Sequence, residues 1–163
     1  MRFALASFVD LHGVCKAKAV PIEHLEAMLA GSELFTGAAL DGVPQDVSDD
    51  EVATLPDPAS ATVLPWRHDT VWMASNLQLK GQPFEACSRT ILGRVLEQAR
   101  QLGLRFNLGV ETEFFVLRRN ADGSLAPASA QDTLEKPCYD LRGLLDNLDW
   151  LDELVEAMNG LGW

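Results

Sequence analysis

Polar and apolar residues are mixed in short alternating runs over the first twenty-one positions, which is typical of half-buried β-strands. Two such runs, RFALASFVD (2–10) and GVCKAKAVP (13–21), flank His12 and Gly13, a pair that suits a tight turn. The segment is therefore predicted as a β-hairpin. Pro21 then opens PIEHLEAMLAG (21–31), whose apolar residues fall on one helical face and whose final glycine is a natural stop.

The periodicity is lost after this helix. Residues 35–60 are rich in glycine, proline and aspartate and predict a long loop. Two further strands are predicted at ATVLPW (61–66) and TVWMASNLQL (70–79), and GQP (81–83) marks a boundary. Residues 1–80 therefore predict a small α+β unit.

The second half of the chain shows longer periodic segments. SRTILGRVLEQARQLG (88–103) predicts an amphipathic helix, and RFNLGVETEFFVLR (105–118) predicts a strand that ends at the turn signal RNADGS (119–124). LDNLDWLDELVEAMNGLG (145–162) predicts a second helix, with Asp146 or Asn147 as its N-cap and Gly160 as its C-cap. Because no strand follows this helix, we expect the chain to be a fragment of a larger domain.

Composition narrows the possible partners. The chain has 163 residues, and 47% of them are apolar, which is typical of a globular protein. Its formal charge of −11 disfavours nucleic acid and anionic membranes as partners, because their phosphates would be repelled. Its three cysteines are widely spaced and predict no disulfide framework. With no predicted membrane span or leader peptide, the expected location is the cytoplasm.

The predicted strand 105–118 carries two carboxylates, Glu111 and Glu113, beside Phe114 and Phe115. Alternation in a strand would point both glutamates to one face, with Cα atoms about 6.5–7 Å apart. Carboxylates this close repel each other unless a cation neutralises them, and oxygen ligands suit Mg²⁺ or Mn²⁺. The alternative is a solvated outer face of an antiparallel strand, and the pattern alone leaves both interpretations open.

The order of motifs resembles the glutamine synthetase family. The resemblance rests on FVDLHGVCKAKAVP, LFTG, TLPDPASATVLPW, EACSRTIL with its Arg89, and above all GVETEFF (109–115). The tail KPCYDLRGLLDNLDWLDELVEAMNGLGW is most similar to the branch that forms γ-glutamyl amides of small amines, such as γ-glutamylmethylamide synthetase. The implied fold is α+β, with a β-grasp-like N-terminal domain (1–80) followed by the beginning of a catalytic domain (81–163) that is incomplete.

The resemblance also implies a function. Family members use ATP to phosphorylate the γ-carboxylate of glutamate, and ammonia or a small amine then attacks the acyl phosphate. It implies two Mg²⁺ or Mn²⁺ ions, one served by Glu111 and the other by Glu113, and a homo-oligomer whose active sites lie between subunits. The family's other ligands would follow downstream of residue 163, so this chain alone is expected to be inactive.

One departure from the family concerns substrate choice. The family's FDGSS loop, whose aspartate helps to deprotonate ammonium, appears here as FTGAA, with Thr36 at the aspartate position. Neither Asp41 nor Asp46 in the same loop can be aligned with that aspartate. Loss of the carboxylate and gain of apolar residues in TGAAL (36–40) predict a preference for a small alkylamine over ammonia.

The sequence is also compatible with two other functions. The chain could be a non-catalytic β-grasp module for assembly or binding, or an unrelated acidic α+β domain whose glutamate pair lies on the surface. Among the remaining residues, the cluster Trp66–Asp69 is interpreted as a turn between strands, with a position at a subunit interface near a neighbour's active site as the alternative. Trp150 and Trp163 are interpreted as core or interface aromatics.

Overall fold

A computed structural model of the chain describes residues 1–162. These residues form two compact units, an N-terminal unit, Met1–Asn107, and a C-terminal unit over residues 108–162. Trp163, which we interpreted as a core or interface aromatic, lies outside the described residues.

The N-terminal unit begins with the predicted hairpin. Strands β1 (Phe3–Val9) and β2 (Cys15–Pro21) pair antiparallel. The Asp10 carboxylate closes the turn, because its Oδ1 accepts the backbone N–H groups of His12 and Val14, each at 2.9 Å. An aspartate that bonds the backbone two residues ahead is a recurrent turn device.

The helix predicted after Pro21 is present but short. It comprises a 3₁₀ turn, Ile22–His24, and a single helical turn, α1 (Leu25–Leu29), and Gly31 follows with φ of +90°. A positive φ costs glycine nothing, so the chain can reverse here. Met28 on this helix is fully buried.

The prediction of an unbroken loop over 35–60 is wrong at its end. A short strand, β3 (Leu34–Phe35), pairs antiparallel with β4 (Val52–Pro56), which itself pairs with a longer central strand. The inward positions of β4 are Val52, Thr54 and Pro56. Of these three, only Val52 is an apolar residue typical of strands, so the sequence does not show the alternation of apolar and polar residues that predicts a strand.

The central strand organises a seven-stranded sheet. The strand order is β2-β1-β6-β4-β3, where β6 (Arg67–Leu79) is parallel to β1 and antiparallel to β4. Strands β5 (Thr62–Leu64) and β7 (Gln82–Pro83) also pair with β6. The strand predicted at 70–79 therefore begins three residues earlier than expected.

Two apolar clusters stabilise this sheet. The first packs α1 against β1 and β6, and the second fills the space under β3, β4 and the segment before the next helix. Burying a valine, leucine, phenylalanine or methionine side chain in these clusters contributes about 1.5–3 kcal/mol. The buried members of the first cluster are Ala4, Ala6, Val20, Met28, Val71 and Met73, and those of the second are Phe8, Leu40, Val52, Leu77, Phe84 and Cys87.

The predicted amphipathic helix is confirmed as α2 (Ser88–Gln101). None of its residues is fully buried, and Leu92 and Val95 on its apolar stripe are more than half exposed. Within the described part of the chain, no helix combines the length and the apolar character needed to cross a bilayer.

The C-terminal unit contains a small ribbon and two helices. Strands β8 (Leu117–Arg119) and β9 (Leu125–Pro127) pair around the predicted turn, and helices α3 (Leu141–Leu145) and α4 (Leu148–Leu161) follow. Asn147 occupies the N-cap position of α4, as predicted. Gly160 is not the C-cap, because the helix continues to Leu161 and ends at Gly162 with φ of +75°.

The strand predicted at 105–118 is wrong over most of its length. Residues 104–116 have no regular secondary structure, and only Leu117–Arg119 forms a strand. A strand needs a neighbour to satisfy its backbone groups, and no strand of residues 1–162 pairs with 104–116. Alternation of polar and apolar residues is therefore not sufficient to make this segment a strand.

Candidate functional site

The two predicted metal ligands lie in the irregular segment before β8. Glu111 and Glu113 are both exposed, and no ion pair within residues 1–162 involves either carboxylate. The adjacent Phe114 contacts Trp150 of α4 edge-to-face, with ring centroids 5.5 Å apart. Because the segment is not a strand, strand alternation does not determine the directions of the two glutamates.

The donor chemistry of this pair still suits a hard divalent cation. Carboxylate oxygens are the preferred ligands of Mg²⁺ and Mn²⁺, and such ions take six or more ligands. No group of three or more histidine, cysteine, aspartate or glutamate side chains in the described residues is placed to hold an ion. Two carboxylates can supply only part of such a coordination shell.

Thr36 lies directly after β3, at the start of the loop that separates β3 from β4. The preceding residue, Phe35, packs edge-to-face against Phe8, with ring centroids 4.9 Å apart. The Thr36 hydroxyl donates a hydrogen bond of 3.2 Å to Oε1 of Glu51. The sequence pattern does not reveal Glu51 as a partner of Thr36, because the contact depends on the pairing of β3 with β4.

The loop after Thr36 is ordered by close packing. A Cβ atom on Gly37 would lie 1.7 Å from Oε1 of Gln45, so only glycine fits while Gln45 keeps this position. The Gln45 amide donates to the carbonyl of Asp50 at 3.1 Å. Leu40 is buried in the second cluster, whereas Ala38 and Ala39 are exposed. Leu40 is therefore not available to contact an amine, contrary to the reasoning from TGAAL.

Arg89 links the start of α2 to the sheet. Its guanidinium donates to Oδ2 of Asp57 at 2.8 Å and to Oδ1 of Asn76 at 3.2 Å. The hydrogen bond from Arg89 and the backbone N–H of Ala59 hold the pKa of Asp57 below its ordinary value. The arginine that carried part of the family resemblance thus fixes α2 to the turn after β4.

The cluster Trp66–Asp69 is only partly a turn. Trp66 lies between β5 and β6 and is 74% exposed, but the next three residues belong to β6, so the turn interpretation is wrong for them. Within β6, the Arg67 guanidinium lies 3.2 Å from the Asp69 carboxylate. The pKa of Asp69 is lowered, chiefly by the hydrogen bond from the Thr70 hydroxyl.

Comparison with known proteins gives a consistent result. The family model described as "Glutamine synthetase, catalytic domain" matches residues 85–163. The chain is 34% identical over 163 residues to the glutamate–methylamine ligase of Methyloversatilis universalis, covering 99% of the chain and 37% of the relative. It is 35% identical over 165 residues to a glutamine synthetase of Rhizobium leguminosarum bv. phaseoli, covering 100% of the chain and 37% of the relative.

The fold is also similar to solved structures. A structure described as a GmaS/ADP complex superposes with a TM-score of 0.82 at 30% identity, covering 100% of this chain and 37% of the other. A ligand-free GmaS structure gives the same score and identity, with 38% of that chain covered. The chain spans little more than a third of the length of these relatives.

Proposed function

Because the chain belongs to the glutamine synthetase family, we propose that it is part of an ATP-dependent ligase that joins ammonia or a small amine to the γ-carboxylate of glutamate. A γ-carboxylate oxygen attacks the terminal phosphorus of ATP and ADP leaves. The ammonium form of the amine loses one proton, and its nitrogen then attacks the acyl carbon of γ-glutamyl phosphate. Phosphate leaves, and the nitrogen loses a second proton to give the amide. The observation that carries this proposal is the alignment of nearly the whole chain with a glutamate–methylamine ligase at 34% identity.

In this proposal Glu111 and Glu113 hold the divalent cations, Mg²⁺ or Mn²⁺. The bound ions would neutralise charge on the phosphates of ATP and of the acyl phosphate. The support is the hard-oxygen character of the two side chains and their exposure, which leaves both carboxylates open to a cation. The rest of each coordination shell is assigned to residues outside this chain.

The metal assignment is tested with Glu111→Gln and Glu113→Gln in the complete enzyme. Glutamine keeps the shape of the side chain but loses its charge, so each variant should need at least tenfold more Mg²⁺ for half-maximal amide formation, the effect of about 1.4 kcal/mol of lost binding. Glu153→Gln, which changes an exposed glutamate of α4, is the matched control. An unchanged Mg²⁺ dependence in both variants would refute the assignment.

We assign residues 1–80 to a β-grasp-like domain and residues 81–163 to the beginning of the catalytic domain. The catalytic-domain match at 85–163 and the succession of hairpin, helix and further strands in the first 80 residues support this division. The proposed enzyme is a cytoplasmic homo-oligomer whose active sites lie between subunits. Sedimentation of the complete enzyme tests its oligomeric state.

We further propose that the enzyme prefers a small alkylamine to ammonia. The support is Thr36 in place of an aspartate, with Ala38 and Ala39 exposed next to it, and the similarity to a glutamate–methylamine ligase. The test compares kcat/KM for methylamine and ammonia, with Thr36→Asp as the partner variant. We expect methylamine to be preferred and the substitution to shift the ratio towards ammonia. Preference for ammonia with no shift in Thr36→Asp would contradict this assignment.

A second candidate, a non-catalytic assembly or binding module, is favoured by one observation. Both buried clusters lie within the N-terminal unit, so this part of the chain has a core of its own. The two functions are distinguished by the 163-residue chain and the complete enzyme assayed side by side with glutamate, methylamine and ATP. We expect amide only from the complete enzyme, because two carboxylates cannot complete two coordination shells.

A further inference from the structure

A carboxylate lies next to Thr36, on the neighbouring strand of the β3–β4 pair. Leu34 lies opposite Ala53, and Phe35 lies opposite Val52. One further step in the same register places Thr36 opposite Glu51, and the two side chains are joined by the 3.2 Å hydrogen bond from the hydroxyl to Oε1. Directly opposed residues in an antiparallel pair have Cβ atoms only about 4.5–5.5 Å apart. The side chain of Glu51 thus carries a charged group to the position of Thr36.

The backbone on both sides of this pair is fixed. Phe35 packs against the Phe8 ring, and Val52, which follows Glu51, is fully buried. The carbonyl of Asp50 accepts the Gln45 amide. The Glu51 carboxylate therefore lies on the surface but extends from an anchored backbone, which reduces the entropy lost when it binds a ligand.

The charge of Glu51 is not neutralised by the neighbouring cations. Lys80 pairs with Asp50, with 2.7 Å between Nζ and Oδ2. Lys18 donates to the carbonyl of Leu34 and lies 5.1 Å from the centre of the Phe35 ring. No ion pair among residues 1–162 includes Glu51. The hydroxyl of Thr36 is neutral, so its hydrogen bond orients the carboxylate without cancelling the charge.

We propose that Glu51 attracts and orients the ammonium or alkylammonium substrate, and that Thr36 is a positioning residue for its carboxylate. This inference rests on the proposed ligase function and deepens it. A primary alkylammonium carries three N–H donors and one apolar group. One donor can bind Glu51, while the alkyl group can lie against the exposed alanines that follow Thr36. A hydroxyl at position 36 leaves more room for that group than a second carboxylate would, and it avoids repulsion with Glu51.

The test is the Glu51→Gln variant of the complete enzyme, with KM measured separately for methylamine, glutamate and ATP. We expect the KM for methylamine to rise about tenfold, the effect of losing one charge-assisted contact, while the KM values for glutamate and ATP stay within twofold. Glu33→Gln is the matched control, because Glu33 is a nearby glutamate whose carboxylate also accepts a hydrogen bond from a hydroxyl group, that of Ser32 at 3.0 Å. Glu33→Gln should leave all three KM values unchanged.

Thr36 variants test the positioning role. Thr36→Val removes the hydroxyl at nearly constant shape and should raise the KM for methylamine less than Glu51→Gln does. Thr36→Ser keeps a hydroxyl and should have a KM for methylamine close to that of the wild-type enzyme. Thermal unfolding of each variant checks that it is folded. Glu51→Asp keeps the charge on a shorter side chain, so its KM for methylamine should lie between those of the wild-type enzyme and Glu51→Gln. A wild-type KM for methylamine in Glu51→Gln, or an equal rise for all three substrates, would overturn the inference alone. Absence of amide formation by the wild-type enzyme would overturn the proposed function and this inference with it.

Discussion

The two units of the chain differ in how they bury apolar side chains. The N-terminal unit contains every buried residue of the described chain, and its buried apolar side chains form two clusters against one sheet. The C-terminal unit has none, although its helix α4 repeats apolar residues with helical spacing and leaves Leu148, Val155 and Met158 between 41% and 52% exposed.

This difference shows that amphipathic pattern and burial are separate properties. A helix with an apolar stripe forms a core only when another element covers the stripe. In the N-terminal unit α1 is short, but the sheet covers it and Met28 is completely buried. In the C-terminal unit α4 is longer, yet its stripe stays partly in contact with solvent. Three predictions test this contrast.

The largest expected effect comes from truncating a methionine in each unit. Met28→Ala should reduce the free energy of unfolding of the sheet by about 2–5 kcal/mol, because it removes a fully buried side chain and leaves a cavity. Met158→Ala should change it by less than about 0.5 kcal/mol, because Met158 is 41% exposed. Urea unfolding followed by hydrogen exchange at the β6 amides measures both. Equal effects in the two variants would remove the distinction between the units.

A smaller effect is expected on self-association. Exposed apolar residues on α4 should make the 163-residue chain associate as its concentration rises. Leu148 and Val155 are seven residues apart and share a helical face, so Leu148→Glu combined with Val155→Glu should weaken association more than tenfold, given about 1.5–3 kcal/mol for each buried side chain. Light scattering across a concentration series measures this change.

The control for the association experiment adds negative charge elsewhere on the same helix. Asn159→Glu changes an exposed polar residue, so it should have a much smaller effect than the double substitution. If association is equally weak in both variants, the weakening is caused by charge repulsion and not by loss of the apolar stripe.

The smallest effect concerns the pH dependence of two turn aspartates. The backbone N–H of Val14, with smaller contributions from His12 and Lys16, lowers the pKa of Asp10, whose side chain is only 1% exposed. A lowered pKa in the folded state means that this contribution to stability is present above the unfolded-state pKa of about 4. It is lost as the pH falls through the lower, folded-state pKa. Asp10→Asn should therefore reduce the loss in the free energy of unfolding of the sheet as the pH falls below about 4.

Asp122 provides the matched turn in the C-terminal unit. Hydrogen bonds from the Ser124 hydroxyl and backbone N–H lower its pKa as well, but it is exposed and lies in the β8–β9 turn. Asp122→Asn should leave the pH dependence of the sheet unchanged. Measuring sheet stability between pH 3 and 7 for both variants checks the pair. A flattened curve for Asp122→Asn would show that the two units unfold together.

Much of the architecture could be predicted because it depends on local signals. The hairpin with His12 and Gly13 in its turn, the helix α2 and the turn at 119–124 all carry turn residues or a helical period that act within a few residues. The family resemblance through GVETEFF is confirmed by the comparisons. The metal roles of Glu111 and Glu113 stay predictions, as does the alkylamine preference.

The remaining features depend on contacts between distant parts of the chain. By itself, the sequence determined the hairpin, the amphipathic helices, the acidic charge and the family. Only the tertiary structure decided that β4 is a buried strand, that residues 104–116 are not one, and that Glu51 lies beside Thr36. The physical reason is that a strand exists only where a neighbour satisfies its backbone, and that cross-strand contacts follow from register, which no local pattern specifies.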